Sequence, residues 1–304
     1  MASWNEILDN IQTLNPQAMA QYLDTLMIDS LKRISQIRKE RNVIFYASTF
    51  LQKPQIDPML TQITNEDINS FMAVIHGMDF SKGLVLVLHT PGGITTAAET
   101  IVEYLHKKFN YIETIVPTFA MSAGTMIALS TDLIIMGNQS QLGPIDSQIP
   151  VSGRFVSARS VIDQFLNAKK DILSDVKNAH LWAPILGGMT PGLLIEAKKA
   201  NAYSQKIVAS WLSNKGNINS TSIAKYFNQP SLHKSHGKRI DRNDCKKLGL
   251  NIYELENDQD LQDAVLTAYH AITILFDQTP ASKIVVNNNG KKWIKNITHP
   301  IRVP

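Results

Sequence analysis

The sequence predicts an α/β fold with a mainly parallel sheet, and three observations carry that expectation. Leu84-Val85-Leu86-Val87-Leu88-His89 is apolar almost to its end, the pattern of a strand covered on both faces. Two further short apolar runs, Ile112 to Pro117 and Leu133 to Gly137, follow at intervals that each hold one helix. Strand, helix, strand, helix, strand in that order calls for parallel crossovers.

The elements follow along the chain. Apolar residues at helical spacing over 5–42 (Ile7, Ile11, Leu14, then Met19, Leu23, Leu26, Leu31, Ile34) predict two helices separated near Pro16. Asn42 to Ala47 is β-branched and aromatic, hence a strand. Asn65-Glu66-Asp67 is the acidic opening of a helix running through Ile75. Thr90-Pro91-Gly92-Gly93 breaks the central strand, an amphipathic helix covers Ile94 to Phe109, and another covers Ser122 to Ser130. Residues 155–227 read as mostly helical with a loop at Pro184 to Gly192. A polar turn from His233 leads to a short helix ending at Gly249, and Leu250 to Leu255 fits a last strand. Asp258 to Phe276 is helical, and Ile284 to Ile294 fits a β-hairpin around Asn289-Gly290, a small addition to the core.

Composition narrows the function. Of 304 residues 44% are hydrophobic and 18% charged, and the net charge is +4 with 30 basic and 26 acidic side chains dispersed along the chain. No basic face is gathered for phosphates, so no nucleic-acid partner is expected. The single cysteine, Cys245, rules out an internal disulfide and a Cys-rich zinc site. The first residues have neither the basic nor the apolar region of a signal peptide, and no run approaches the roughly 18 apolar residues of a membrane span. The expected location is the cytoplasm, with no integral membrane segment.

Two turns carry chemistry. In His89-Thr90-Pro91-Gly92-Gly93 the glycines let backbone approach a ligand, and their amides lie at a helix start, suited to a developing oxyanion. A plain strand-to-helix turn fits equally well. A dinucleotide site is disfavoured because Gly-x-Gly-x-x-Gly is absent. In Ala120-Met121-Ser122-Ala123-Gly124-Thr125 a serine sits among small residues where strand becomes helix, as in a nucleophile elbow. Taken alone, the same serine fits a helix N-cap better. Acyl transfer needs a nucleophile and two convergent amides, and Gly93 and Ser122, 29 residues apart, open consecutive helices.

These segments, with Leu142-Gly143-Pro144-Ile145-Asp146, resemble the ClpP-class and signal-peptide-peptidase A-like serine peptidases of the ClpP/crotonase superfamily. The nearest likeness is the serine dehydrogenase proteinase subgroup, which Ser235-His236-Gly237-Lys238-Arg239-Ile240 and Lys247-Leu248-Gly249-Leu250 also resemble. The resemblance covers roughly residues 40–255. It implies a repeated β-β-α spiral core: a helical segment over 1–42, a catalytic domain over 43–257, and a helix and hairpin extension over 258–304. It implies an ATP-independent serine endopeptidase with Ser122 as nucleophile and the Gly93 and Ala123 amides as oxyanion hole. Gly92 and His89 become substrate-binding candidates, and homo-oligomers acting on peptides or unfolded proteins are expected.

The general base departs from the family pattern. Where ClpP-type enzymes place a histidine, this chain has Ile145-Asp146-Ser147. His236, with an ordinary pKa near 6.5, is the preferred base and Asp146 its orienting carboxylate. Lys169, Lys170 and Lys177 lie at distances suited to a lysine base but in no matching motif. No metal or other cofactor is expected; His233 and His236 alone make a poor metal motif. Two other readings stay open: a crotonase-like acyl-CoA enzyme, for which no carboxylate pair stands near the loops, and a peptide-binding scaffold lacking a base.

Overall fold

Asn15 and Pro16 decide where the long second helix begins. Asn15 Oδ1 accepts from the Ala18 amide at 2.9 Å, and Pro16 supplies a preset φ in the first turn. The computed structural model describes residues 4–151, 154–229 and 238–297. Helices α1 (Trp4–Ile11) and α2 (Pro16–Ile37) therefore form where the periodicity predicts, divided at Pro16.

Five parallel strands follow: β1 (Asn42–Ser48), β2 (Leu84–His89), β3 (Ile112–Val116), β5 (Leu133–Met136) and β9 (Ile252–Glu254). The hairpin of β10 (Ala281–Asn287) and β11 (Lys292–Asn296) completes a seven-stranded sheet of order β11-β10-β1-β2-β3-β5-β9. It is not an addition beside the core. Strand β10 pairs antiparallel along β1, with Ile44 opposite Asn287 and Ser48 opposite Lys283. Pairing there uses the edge that β1 would otherwise leave open.

The pleat sends alternate side chains to opposite faces. Val43, Phe45, Ala47, Val85, Val87, Ile115 and Ile135 join one buried cluster with α1, α2 and α11 (Gln259–Gln278). On the other face Phe71 stacks on Tyr46 at 5.9 Å between ring centres. Phe71 belongs to α3 (Asp67–Ile75), which packs on α4 (Thr95–Lys108); α4 in turn packs on α5 (Ala123–Leu129). At the start of β3 Glu113 is fully buried and would be untenable alone. Arg38 grips it with two bonds of 2.7 Å, and Arg41 lies 3.3 Å away. The Glu113 hydrogen bonds raise the Arg38 pKa further.

After each of β2, β3 and β5 the chain enters a second, smaller sheet. Strand β4 (Phe119–Ala120) pairs parallel with β6 (Gln141–Leu142), Thr90 bridges to Ala120, and Leu142 bridges to Ile240. This is the expected β-β-α repeat, a mixed α/β architecture with a mostly parallel main sheet.

Two compact units result: Met1–Leu142 with Ile240–Pro304, and Gly143–Arg239. The first also holds the short helix α10 (Arg242–Lys247). The second holds the hairpin of β7 (Gln148–Val151) and β8 (Arg154–Ser157) and helices α6 (Ala158–Ser174), α7 (Ala179–Gly187), α8 (Leu193–Asn214) and α9 (Ser220–Phe227). Ala158, Val161, Ile162, Leu193 and Ala197 form its core. Two expectations change here. Residues 155–157 are strand rather than helix, and Pro184 lies inside α7 instead of opening a loop. Only the preceding turn loses a backbone bond to Pro184, so a short helix survives it.

Candidate active site

The turn between β4 and α5 is knitted to the turn after β2 by backbone bonds. Thr90 N donates to Phe119 O at 3.0 Å, and Met121 N donates to Thr90 O at 3.1 Å. Two loops 29 residues apart thus lie edge to edge, at the carboxyl ends of parallel strands where such folds place their sites.

Ser122 sits at φ 49°, ψ −115°, a left-handed conformation that a residue with a Cβ rarely adopts. It occupies the N-cap position of α5, yet its side chain caps no helix amide, and Ser122 Oγ has no hydrogen-bond partner among the described residues. The capping alternative therefore fails. Strain of this kind, worth about 1–3 kcal/mol, persists where surroundings enforce it and gathers at functional turns. Enforcement is visible: Gly124 N bonds Met121 O at 2.7 Å, Met126 N bonds Ser122 O at 3.0 Å, and Thr125 Oγ1 bonds Ala120 O at 2.7 Å.

The glycines have separate jobs. Gly92, at φ 97°, lets the first loop touch the serine turn; a Cβ there would stand 2.5 Å from Met121 O and 2.6 Å from Ser122 Cβ. Gly93 lies against Ile63, whose backbone a Cβ would meet at 2.3 Å. Ile63 N donates to Gly92 O at 2.7 Å and Ile94 N donates to Ile63 O at 2.9 Å, so two bonds straddle Gly93. Among the described residues, neither the Gly93 amide nor the Ala123 amide has an acceptor. Beside the loop, Phe50, Pro54, Ile56 and Pro91, with Lys53 and Gln62, line a mixed recess of about 190 Å³.

The other predicted site residues have varied positions. His89 is fully buried. Its Nδ1 pairs with Thr118 Oγ1 at 2.9 Å, and Phe50 and Tyr269 pack on its ring at 4.8 and 5.0 Å. Burial pushes its pKa down to about 3, so the imidazole stays neutral at ordinary pH. A proton taken up near pH 6.5 by the unfolded chain is refused by the folded one. Stability from this group is full above pH 6.5 and falls as pH drops toward about 3, by up to about 1.4 kcal/mol per pH unit. Urea unfolding at pH 7, 5.5 and 4.5 should show that slope, and a His89→Gln variant should flatten it.

Asp146 lies in the second unit, 1% exposed, and accepts from Gln148 Nε2 at 2.9 Å. Lys169 and Lys170 on α6 are exposed, as is Lys177. His236 and His233 lie outside the described residues. Sequence reasoning missed Ile63 as the partner of Gly93; nothing in Ile63-Thr64 distinguishes it from any loop residue.

A family model described as ClpP-like SDH-type serine proteinase matches residues 7–183. The chain belongs to this proteinase family. Two uncharacterized proteins of Methanocaldococcus jannaschii are similar to the SDH-type chain. One is 40% identical over 92 residues, 30% of this chain and 32% of the relative. The other is 31% identical over 137 residues, 44% of this chain and 46% of the relative. The chain thus matches less than half of the length of each of these curated relatives. Among solved structures, a serine-to-alanine mutant of the membrane-bound stomatin-specific protease 1510-N is 19% identical at a TM-score of 0.42, covering 63% of this chain and 74% of that one. A lysine-to-alanine mutant of 1510-N in complex with a substrate peptide is 20% identical at 0.42, covering 63% and 70%. No helix among the described residues of the SDH-type chain is long and apolar enough to cross a membrane.

Proposed function

We propose that this serine proteinase cleaves peptide bonds through an acyl-enzyme on Ser122, with the Gly93 and Ala123 amides as its oxyanion hole. The observation that carries the reading is the strained, uncapped Ser122 pressed against Gly92, with two amides, at Gly93 and Ala123, that have no acceptor among the described residues. Oγ attacks the carbonyl carbon while its proton passes to a base. The carbonyl oxygen becomes an anion, and the two N–H groups stabilise it because they are fixed before charge develops. Collapse expels the amine, which takes the proton, and water then releases the acid through the same steps.

His236 is the base in this proposal and Asp146 its orienting carboxylate; a buried carboxylate suits that role. Exposed Lys169 and Lys170 are the alternatives, disfavoured because a lysine base needs burial to lower its pKa. The recess beside Pro91, lined by Phe50, Pro54 and Ile56 and also by Lys53 and Gln62, suits a substrate side chain with an apolar body and a polar end. Endopeptidase action on peptides and unfolded chains without ATP, a cytoplasmic site and a homo-oligomer belong to the same proposal. Exposed Leu173, Val176 and Leu181 in the second unit favour association.

A fluorophosphonate probe tests it, with the modified peptide located by mass spectrometry. Wild type should carry the label on Ser122. His236→Ala and Asp146→Ala should slow labelling by about 10²-fold or more, the usual worth of a general base; Lys169→Ala and Lys170→Ala should not. An unlabelled but folded wild type overturns the reading, and loss confined to a lysine variant moves the base to that lysine.

A further inference from the structure

A lysine inside an apolar strand needs an explanation. Lys283 stands in Ser282-Lys283-Ile284-Val285-Val286 on β10 and is fully buried. Its Nζ reaches Asp67 Oδ2 at 2.7 Å and Oδ1 at 3.0 Å, and Asp67 is fully buried too. Burial lowers the Lys283 pKa and the Asp67 charge raises it in part, as expected of a desolvated pair. Stability alone is a poor account of such a pair, since well-packed apolar residues of similar volume serve as well or better.

The carboxylate has a second partner, and that partner leads to the candidate site. Asp67 Oδ2 accepts from the Thr64 amide at 2.6 Å and from Thr64 Oγ1 at 3.2 Å. Thr64 is covalently joined to Ile63, the residue whose N–H and C=O hold Gly92 and Ile94 on either side of Gly93. Gly93 lies directly against this backbone, since Ile63 O and N stand 2.3 and 2.5 Å from where a Cβ would be.

We infer that Lys283 and Asp67 are positioning residues: the lysine orients the Asp67 carboxylate, the carboxylate anchors Thr64, and the Ile63 backbone then aims the Gly93 amide. The inference rests on the proposed role of Gly93 in the oxyanion hole. It makes the β10–β11 hairpin a contributor to catalysis although it touches no reacting atom. An oxyanion donor acts chiefly in the transition state, so misaiming it lowers kcat and leaves KM alone.

Two double variants separate anchoring from charge. Lys283→Met with Asp67→Asn removes both charges but keeps an oxygen that can accept from Thr64. Lys283→Met with Asp67→Leu removes both charges and the acceptor. Both leave an uncharged core, so neither buries a lone charge. Amide hydrogen exchange in the peptide spanning 90–97 and kcat per probe-labelled site are read in each. The Asn variant keeps the acceptor but loses the lysine that orients it, so it should exchange faster than wild type and lose about threefold in kcat; the Leu variant loses both, exchanges faster still and loses about tenfold or more in kcat, with KM within about twofold in each. Equal exchange and equal kcat in the two variants overturn the inference. Should wild type neither hydrolyse peptides nor take the probe, the proposed function falls, and the exchange comparison alone still decides whether the anchor exists.

Discussion

Ser122→Ala should abolish peptide hydrolysis and probe labelling, lowering kcat on the order of 10⁴–10⁶-fold while the unfolding midpoint stays near that of wild type. Removal of Oγ leaves no nucleophile, yet alanine keeps the Cβ, and with it the strain of φ 49°. Ser122→Gly divides the two effects. Glycine takes positive φ freely, so this variant should be equally inactive but more stable than Ser122→Ala by about 1 kcal/mol. That would mark the turn as one where stability is given up for exposure of the serine hydroxyl. Urea denaturation and a quenched peptide substrate measure both quantities. Residual hydrolysis by Ser122→Ala within tenfold of wild type would remove the serine from the mechanism.

Gly92→Ala should cost both activity and stability, because its methyl group strikes the nucleophile's own turn. The new Cβ would stand 2.5 Å from Met121 O, 2.6 Å from Ser122 Cβ and 3.0 Å from Ala123 N, and two of these three atoms are backbone. Backbone cannot swing aside as a side-chain tip can. The residue would also be held at φ 97°, which alanine resists. The loops must part, and the shift falls on the nucleophile and on the Ala123 amide together. A loss of about 10³-fold in kcat with destabilisation of about 2–4 kcal/mol is expected. Gly187→Ala is the control. Beyond its chain neighbours and its own helix backbone, no described atom lies within 4 Å of its new Cβ, and it sits in helix α7, so activity should be unchanged and stability equal or slightly higher. Activity of Gly92→Ala close to that of Gly187→Ala would show that the two loops need not touch.

Much of the site was legible because its signals are local. Glycines at Gly92 and Gly93 announce backbone that others cannot adopt, and small residues around Ser122 announce close approach. The sequence left Ser122 open between cap and nucleophile, since both roles ask for a hydroxyl at a helix start. Backbone dihedrals close the capping option: at φ 49° the side chain makes no capping bond. His89 was open between two roles for a related reason. It ends a strand next to the glycine turn, and the pleat sends it inward to Thr118 and Tyr269.

By itself, the sequence determined the order of strands and helices, because continuous apolar runs, helical periodicity and a capping Asn15-Pro16 are properties of neighbours along the chain. It also determined the family, through short motifs around Gly93 and Ser122. Tertiary structure alone decided that the last hairpin joins the main sheet on β1, that Glu113 is shared by Arg38 and Arg41, and that Ile63 holds the Gly92-Gly93 turn. It alone brought Lys283 to Asp67, 216 residues away. A buried charge or a backbone clamp requires a partner in space, and no spacing rule along the chain says which distant segment will supply it.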